Sequence, residues 1–543
     1  MRTFICAVLV VGAVGGSAAR SDAQFPQNTA PVVSSPAAVF TGAQPVPGTQ
    51  PPNTQPPATQ PPGAQPPVTQ PPGPAPGTTP PPTTSGMDAD PSVQFPSSFV
   101  QPPPPGSTGQ SFSWDQFRLG GQFRIEGDGN NFPFHPLALT NSQPERAFVN
   151  QRYRLWLTYS PNENIEGYVQ AQLGGINWGT NYDFNKNFPG NFTSVAGDRV
   201  GIELRRAWLA YKDADWGKVR VGFLDWHDSF NDTLASSNYD FNVAGTDWVK
   251  TVESLNNLRL SAAALMLSDQ AFANTNPAAT AGTHTATLIA FDADQPLTQK
   301  LSVGASTYIL YDRGGYSYPT SGPYRYSTDV WVGLRAKWNN DILPLAAFVL
   351  GNAGRRADND ATGFRHAGWA TWLEAGALKI GDAKLSAQAY FASGDRSPGE
   401  GKSQEFRTVA QSYRDNFGAQ GYWSYLQVTS PNGPGDVADL GVSLQNRGLG
   451  LFTVQGKFEY PLTKRLNSST TAGWLNSAFP NPRNGSRAMG TEIGEMFTYD
   501  FGGGLKLDTG AAVLFTGDFY RPAPNVAKAD TIWETFARLQ LEF

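Results

Sequence analysis

The chain closes on Thr531-Ile532-Trp533-Glu534-Thr535-Phe536-Ala537-Arg538-Leu539-Gln540-Leu541-Glu542-Phe543. Trp533, Thr535, Ala537, Leu539, Leu541 and Phe543 fall on one face of an extended strand, and Glu534, Arg538, Gln540 and Glu542 on the other. A soluble edge strand this long and this apolar would invite aggregation. The same alternation is what a strand needs when one face meets lipid and the other a polar lumen.

Working outward from that strand, the same texture recurs back to about residue 115. Phe117, Leu119, Gly121, Phe123 and Ile125 alternate with Arg118, Gln122, Arg124 and Glu126. Tyr153, Leu155, Leu157 and Tyr159 alternate with Arg152, Arg154, Trp156 and Thr158. Period-2 reading predicts eighteen strands: 116–126, 149–159, 165–175, 200–212, 217–225, 246–254, 257–267, 283–292, 299–311, 327–338, 343–351, 364–377, 384–393, 448–460, 467–475, 490–500, 505–516 and 530–543. The weakest patterns are 246–254 and 343–351. Connections alternate short and long, and aromatic residues gather at strand ends. The expected fold is therefore all-β, a transmembrane antiparallel barrel of about 18 strands behind a disordered proline-rich tail. Adjacent Arg205 and Arg206 cannot both face the lumen of a regular strand, so a bulge or an interfacial arginine is expected there. The terminal strand resembles the signal read by bacterial barrel-assembly machinery, with Trp533, Leu539, Leu541 and Phe543 as its apolar members.

Composition agrees. The 543 residues include 57 Gly, 44 Pro, 33 Phe, 19 Tyr and 14 Trp, with only 16% charged. A net charge of -5 leaves no basic footprint for nucleic acid. The lone cysteine, Cys6, lies in a stretch that reads as a secretory leader over residues 1–23. Arg2 opens it, Phe4 to Val14 form its apolar core, and Ser21-Asp22-Ala23 offers a cleavage site. Residues 24–111 repeat Thr-Gln-Pro-Pro, as at Thr49-Gln50-Pro51-Pro52 and Thr54-Gln55-Pro56-Pro57, and should be extended and coreless in the periplasm. A tail without a partner is the simpler reading, and contact with the cell wall the functional one. Residues 112–543 form the barrel.

Two motifs carry a family resemblance. Phe391-Ala392-Ser393-Gly394-Asp395-Arg396-Ser397-Pro398-Gly399-Glu400-Gly401-Lys402, followed by Phe406, is the first. Gly490-Thr491-Glu492-Ile493-Gly494-Glu495, leading to Phe515-Thr516-Gly517-Asp518-Phe519-Tyr520, is the second. In order, they resemble the alginate export family of outer-membrane channels. The resemblance implies an 18-stranded pore passing an anionic polysaccharide, partly occluded by long loops. The family's pore is arginine-rich. Here the expected lumen carries Arg118, Arg124, Arg152, Arg154, Arg220, Arg335, Lys337, Lys457 and Arg538 against Glu126, Glu166, Glu374, Glu459 and Glu534.

The arginines of the first two strands should form a positive ladder suited to carboxylates, or pair with Glu126 and Glu166 to hold register. The long connection 394–437 should either fold inward as a constriction, through Asp395, Arg396, Arg407, Arg414 and Asp415, or lie outside. Enzyme chemistry finds no frame. His135, His227, His284 and His366 are scattered without metal-ligand spacing, and no nucleophile elbow or phosphate loop is present. Trp226-His227-Asp228 reads as an interfacial junction, and Glu492 and Glu495 as solvated. No metal or cofactor is expected. The function expected is a passive channel for anionic polysaccharide or oligosaccharide. A general or anion-preferring porin for small solutes and a plugged structural barrel are the alternatives. The expected partners are outer-membrane lipid, the assembly machinery and the permeating solute.

Overall fold

The structure, a computed structural model, describes residues 114–132, 139, 145–177, 202–235, 242–269, 285–312, 326–357, 363–396, 402–409, 423–426, 442 and 444–543. Residues 1–23, read above as a leader, and the proline-rich stretch 24–111 lie outside these residues. So do Arg414 and Asp415.

The strands are β1 (Phe117–Asn130), β2 (Arg146–Tyr159), β3 (Ile165–Asn177), β4 (Ile202–Asp213), β5 (Gly217–Asp225), β6 (Asn242–Val252), β7 (Leu258–Asp269), β8 (Thr285–Pro296), β9 (Leu301–Asp312) and β10 (Tyr326–Trp338). They continue as β11 (Leu345–Ala357), β12 (Gly363–Ile380), β13 (Ala383–Ala392), β14 (Lys402–Ser403), β15 (Leu451–Pro461), β16 (Leu466–Ser477), β17 (Ala488–Gly502), β18 (Leu505–Thr516) and β19 (Thr531–Glu542). Among the described residues, each wall strand pairs antiparallel with its sequence neighbours, β13 pairs β15 directly, and β1 pairs β19. The wall is thus a closed barrel of eighteen strands. The short strand β14 is not in it, but lies parallel against β12 at Arg365 and His366. Each of the eighteen predicted strands has its counterpart, including the two weakest.

Closure removes every unpaired edge, the condition for β-structure to cross lipid. The outer face is apolar: Leu209 is 68% exposed, Ile202 66% and Leu334 60%. With this belt the barrel is a membrane-spanning one of the outer-membrane type. Turns of two to six residues occupy the rim that holds both ends of the barrel sequence, and the longer connections leave from the opposite rim.

At the seam, the Phe543 and Gly121 backbones exchange hydrogen bonds of 2.9 and 3.1 Å. The Phe543 ring covers Gly121, where a Cβ would stand 2.4 Å from it. Deleting Phe543 removes both bonds and this cover. The fraction of chain that runs as a compact, heat-modifiable species on a gel is expected to fall several-fold; an unchanged fraction would show the residue dispensable for closure.

The Arg205–Arg206 problem is resolved by a bulge. Gln170 pairs Arg206 while Ala171 pairs Leu204, so Arg205 is the extra residue. Leu204 and Leu209 both point outward across this shift, and the two arginines both turn inward.

The inward face departs from the expectation of a uniformly polar lumen. Toward the long-loop rim, Leu288, Tyr308, Leu310, Trp331, Phe348, Leu350 and Tyr390 point inward and are buried. They form one apolar cluster with residues of in-turned connections, among them Phe230, Leu234, Phe406 and Leu426. Hydrophobic burial that a soluble barrel-like fold would find between sheets is found here between the wall and its own loops.

Candidate functional site

Two connections return into the barrel and meet. The first is the strap 226–235. Asp228, 6% exposed, accepts backbone N–H groups from Phe230 (2.7 Å), Leu234 (2.7 Å) and Ala235 (2.8 Å). One carboxylate therefore folds the whole turn. Asn231 and Asp232 take the left-handed backbone that the reversal requires. The Phe230 ring meets Tyr308 and Phe348 edge-on at 5.9 and 5.6 Å, over Gly333, whose missing side chain makes the space. The Ser229 N–H donates to Tyr308 Oη, which donates to Asp292. The Trp226-His227-Asp228 stretch is therefore a lumenal anchor, and the interfacial expectation is corrected.

The second strap, 402–409, descends from the longest connection, 393–450. Its start is the short β14, and the Arg407 carbonyl accepts from Trp331 Nε1 at 2.8 Å. The Phe406 N–H reaches the Ser393 carbonyl, and the Gln404 N–H reaches Asp395 Oδ2. The strap lies so close to β12 that a Cβ on Gly368 would stand 2.4 Å from the Glu405 carbonyl. The Val409 N–H donates to the Leu234 carbonyl at 3.3 Å, which joins the two straps.

A third inward piece, 423–426, hangs on Glu492. This carboxylate accepts from Ser424 Oγ (2.8 Å), from the Leu426 N–H (3.2 Å) and from the Tyr425 N–H. Glu492 is buried, which corrects the solvated reading. Glu495, three residues on, belongs to the outward face. Both sequence motifs thus act locally as loop anchors: Ser393-Gly394-Asp395 grips 402–409 and 448–449, and Glu492 grips 423–426.

The charged groups group themselves by strand. Arg154 Nε and Arg205 Nη1 both donate to Gln172 Oε1 at 2.8 Å, and Arg152 donates to Gln122 at 3.1 Å. In these three bonds the acceptors are side-chain amide oxygens. Arg206 and Arg220 share Asp225, and Arg220 also grips Asp247 at 2.5 Å. Arg124 lies 3.6 Å from Glu126, and Lys218 rather than an arginine meets Glu166. Arg335 pairs with Asp294, Arg538 with Asp508, and Lys457 with Glu459. Lys337 faces inward near Glu374 toward the short-turn rim, while Arg118 is exposed near that rim. Glu534 is buried in the wall.

Of the expected constriction residues, Arg407 is buried within the second strap beside Glu405. Asp395 holds that strap's backbone, and Arg396 is exposed. Sequence reading missed the strap 226–235, the inward pair Arg205–Arg206 and the aspartates facing the arginines. The signal for the strap was present: Tyr308-Ile309-Leu310 and Phe348-Val349-Leu350 are apolar on both faces. In a barrel wall that pattern means something apolar packs inside.

No protein-family model matches the chain. No curated protein matches it either, and the resemblance to alginate export channels gains no support. Among solved structures, OccK11 (OpdR) of Pseudomonas aeruginosa is similar at 14% identity and TM-score 0.47, over 79% of this chain and 96% of that one. OccAB2 of Acinetobacter baumannii is similar at 13% identity and TM-score 0.46, over 79% and 98%. A BenF-like porin from Pseudomonas fluorescens Pf-5 gives 10%, 0.44, 79% and 99%.

Proposed function

We propose that this chain is an outer-membrane diffusion channel for small anionic solutes, with its short-turn rim in the periplasm. The observation that carries the reading is the adjacency of two features inside one barrel. Joined straps narrow the long-loop half, and an arginine-rich wall of β2–β5 lines the lumen. Arg152, Arg154, Arg205, Arg206 and Arg220 come from adjacent strands, and the bulge adds one guanidinium that a regular strand would have turned to lipid.

Guanidinium suits carboxylate because its planar fork offers two parallel donors and keeps its charge at any working pH. Three of these arginines donate to the amide oxygens of Gln122 and Gln172, which orient their guanidinium groups. Walls of low dielectric focus the resulting field along the lumen. No chemical step is needed. Flux follows the gradient, and the straps limit size. A thick polysaccharide would have to displace straps buried against the wall, so small solutes fit better than the polymer.

The test is ion selectivity in a planar bilayer under a salt gradient. The reversal potential of the intact protein should report anion preference. In the triple variant Arg152→Gln, Arg154→Gln, Arg205→Gln, the anion-to-cation permeability ratio is expected to fall several-fold while the conductance persists. An unaltered ratio would exclude this wall as the selectivity element, and cation preference in the intact protein would overturn the reading.

A further inference from the structure

Arg206 and Arg220, on the arginine wall, already hold carboxylates of this chain, and two aspartates serve them in different ways. Asp247, on β6, takes the Nε and Nη2 edge of Arg220 at 3.0 and 2.5 Å, and only 9% of its side chain is exposed. It is a buried counter-charge that fixes the guanidinium in place. Asp225, the last residue of β5, spans both guanidiniums with one oxygen for each. Its Oδ1 accepts from Arg220 Nη1 at 2.6 Å, and its Oδ2 lies 3.6 Å from Arg206 Nη1. That is one short hydrogen bond and one looser ion pair, and 28% of the Asp225 side chain is exposed.

The place is built into the strand. Arg220 and Asp225 stand five residues apart on β5. Gly222 lies between them with φ at 138°, against the Ala207 carbonyl, where a Cβ would come within 2.2 Å. Only glycine fits there, so β5 departs from a regular strand within this stretch. The contrast is Arg538, whose Nε and Nη2 both donate to Asp508 on the neighbouring strand, with 13% of each side chain exposed. That pair ties two strands together. Asp225 instead bridges two cations from its lumenal side, one oxygen to each, which is how a small acid would meet the same two arginines.

We propose that Asp225 is a built-in stand-in for the solute: it fills the position between Arg206 and Arg220 between passages and yields it to a passing carboxylate. The proposal rests on the reading of the lumen as an anion pathway. The exchange replaces one carboxylate by another, so the two guanidiniums keep a counter-charge throughout, and the released Asp225 turns to lumen water. A channel needs sites that attract a solute and also let it go. An internal competitor serves both ends. It keeps binding weaker than two arginines without it would give, and its return helps the solute to leave.

The experiment uses the full chain in planar bilayers, with acetate as the probe. Single-channel conductance is followed against acetate concentration, and the half-saturating concentration is read. Asp225→Asn keeps the shape and removes the competing charge, so half-saturation should move to several-fold lower acetate. Asp225→Ser, which shares only the loss of charge, should act alike. Glu374→Gln takes the same charge from the lumen beside Lys337 and Lys457, away from Arg206 and Arg220, and should leave half-saturation near the native value. Heat-modifiability verifies that each variant is folded. Unchanged half-saturation in both Asp225 variants, with anion preference intact in the native protein, would overturn the stand-in and leave the channel reading in place. An equal shift in Glu374→Gln would also overturn it, because the effect would then belong to the overall charge of the lumen. Cation preference in the native protein would overturn both.

Discussion

Asp228→Ala should release the strap 226–235 from the wall and raise the single-channel conductance. Three backbone N–H groups, those of Phe230, Leu234 and Ala235, lose their shared acceptor at once. Each buried donor left without a partner costs about 1–3 kcal/mol, so the strap should lose on the order of 3 kcal/mol or more. That exceeds what one aromatic contact at Phe230 returns. Asp228→Asn keeps one acceptor oxygen and should produce a smaller rise.

The same residue gives the strap a pH dependence. Burial raises the Asp228 carboxyl from its ordinary 3.8 to about 7, and the nearby Asp232 adds to this, against the pull of the three backbone donors. With the folded value above the unfolded one, the neutral form is favoured in the docked strap. Its stability is fully present below the unfolded value, near pH 4, and is lost as pH rises through about 7. Current fluctuations should therefore grow between about pH 4 and pH 7 in the native protein and lose that trend in Asp228→Asn. A conductance indifferent to both substitution and pH would show that the strap does not bound the pore.

Gly368→Val attacks the other strap without attacking the barrel. The new Cβ would stand 2.4 Å from backbone atoms of Glu405 and Phe406, which cannot rotate aside. A valine within a strand is otherwise favourable, so the wall should still close. Overpacking of this kind costs about 1–3 kcal/mol, borne by the docking of 402–409. Larger sugars should then enter liposomes in a swelling assay, whereas Gly351→Val, whose Cβ would meet only an ordinary contact at 3.7 Å, should change nothing. Unchanged size exclusion in Gly368→Val would relieve the second strap of its assigned role.

The wall was legible because its physics is local. Lipid on one side and lumen on the other impose a two-residue period, and 153–159 or 533–543 display it openly. The lumen was less legible, because its partners come from remote sequence. Nothing near Arg220 announces Asp247, which reaches it only through the β5–β6 register. Glu492 looks solvated until Ser424, Tyr425 and Leu426 are brought onto it from a different connection. The run Leu345-Ala346-Ala347-Phe348-Val349-Leu350 gave a weak strand signal for a physical reason: lipid covers one face and the apolar cluster around Phe230 the other. Arg205 and Arg206 show an intermediate case. Their adjacency left a bulge or an interfacial arginine as the options, and only the pairing of Gln170 and Ala171 shows that a bulge is present and which residue is extra.

The straps also constrain the order of events during assembly. Phe406, Leu426 and Phe230 lie inside a ring whose final join is between β1 and β19, strands more than 400 residues apart in sequence. Bringing the two ends of so long a chain together is the slowest kind of contact to form. Once it forms, a strap still outside would have to thread back through the long-loop rim. The inner pieces therefore have to settle onto the growing sheet first, and the seam acts as the lock turned after the contents are in place.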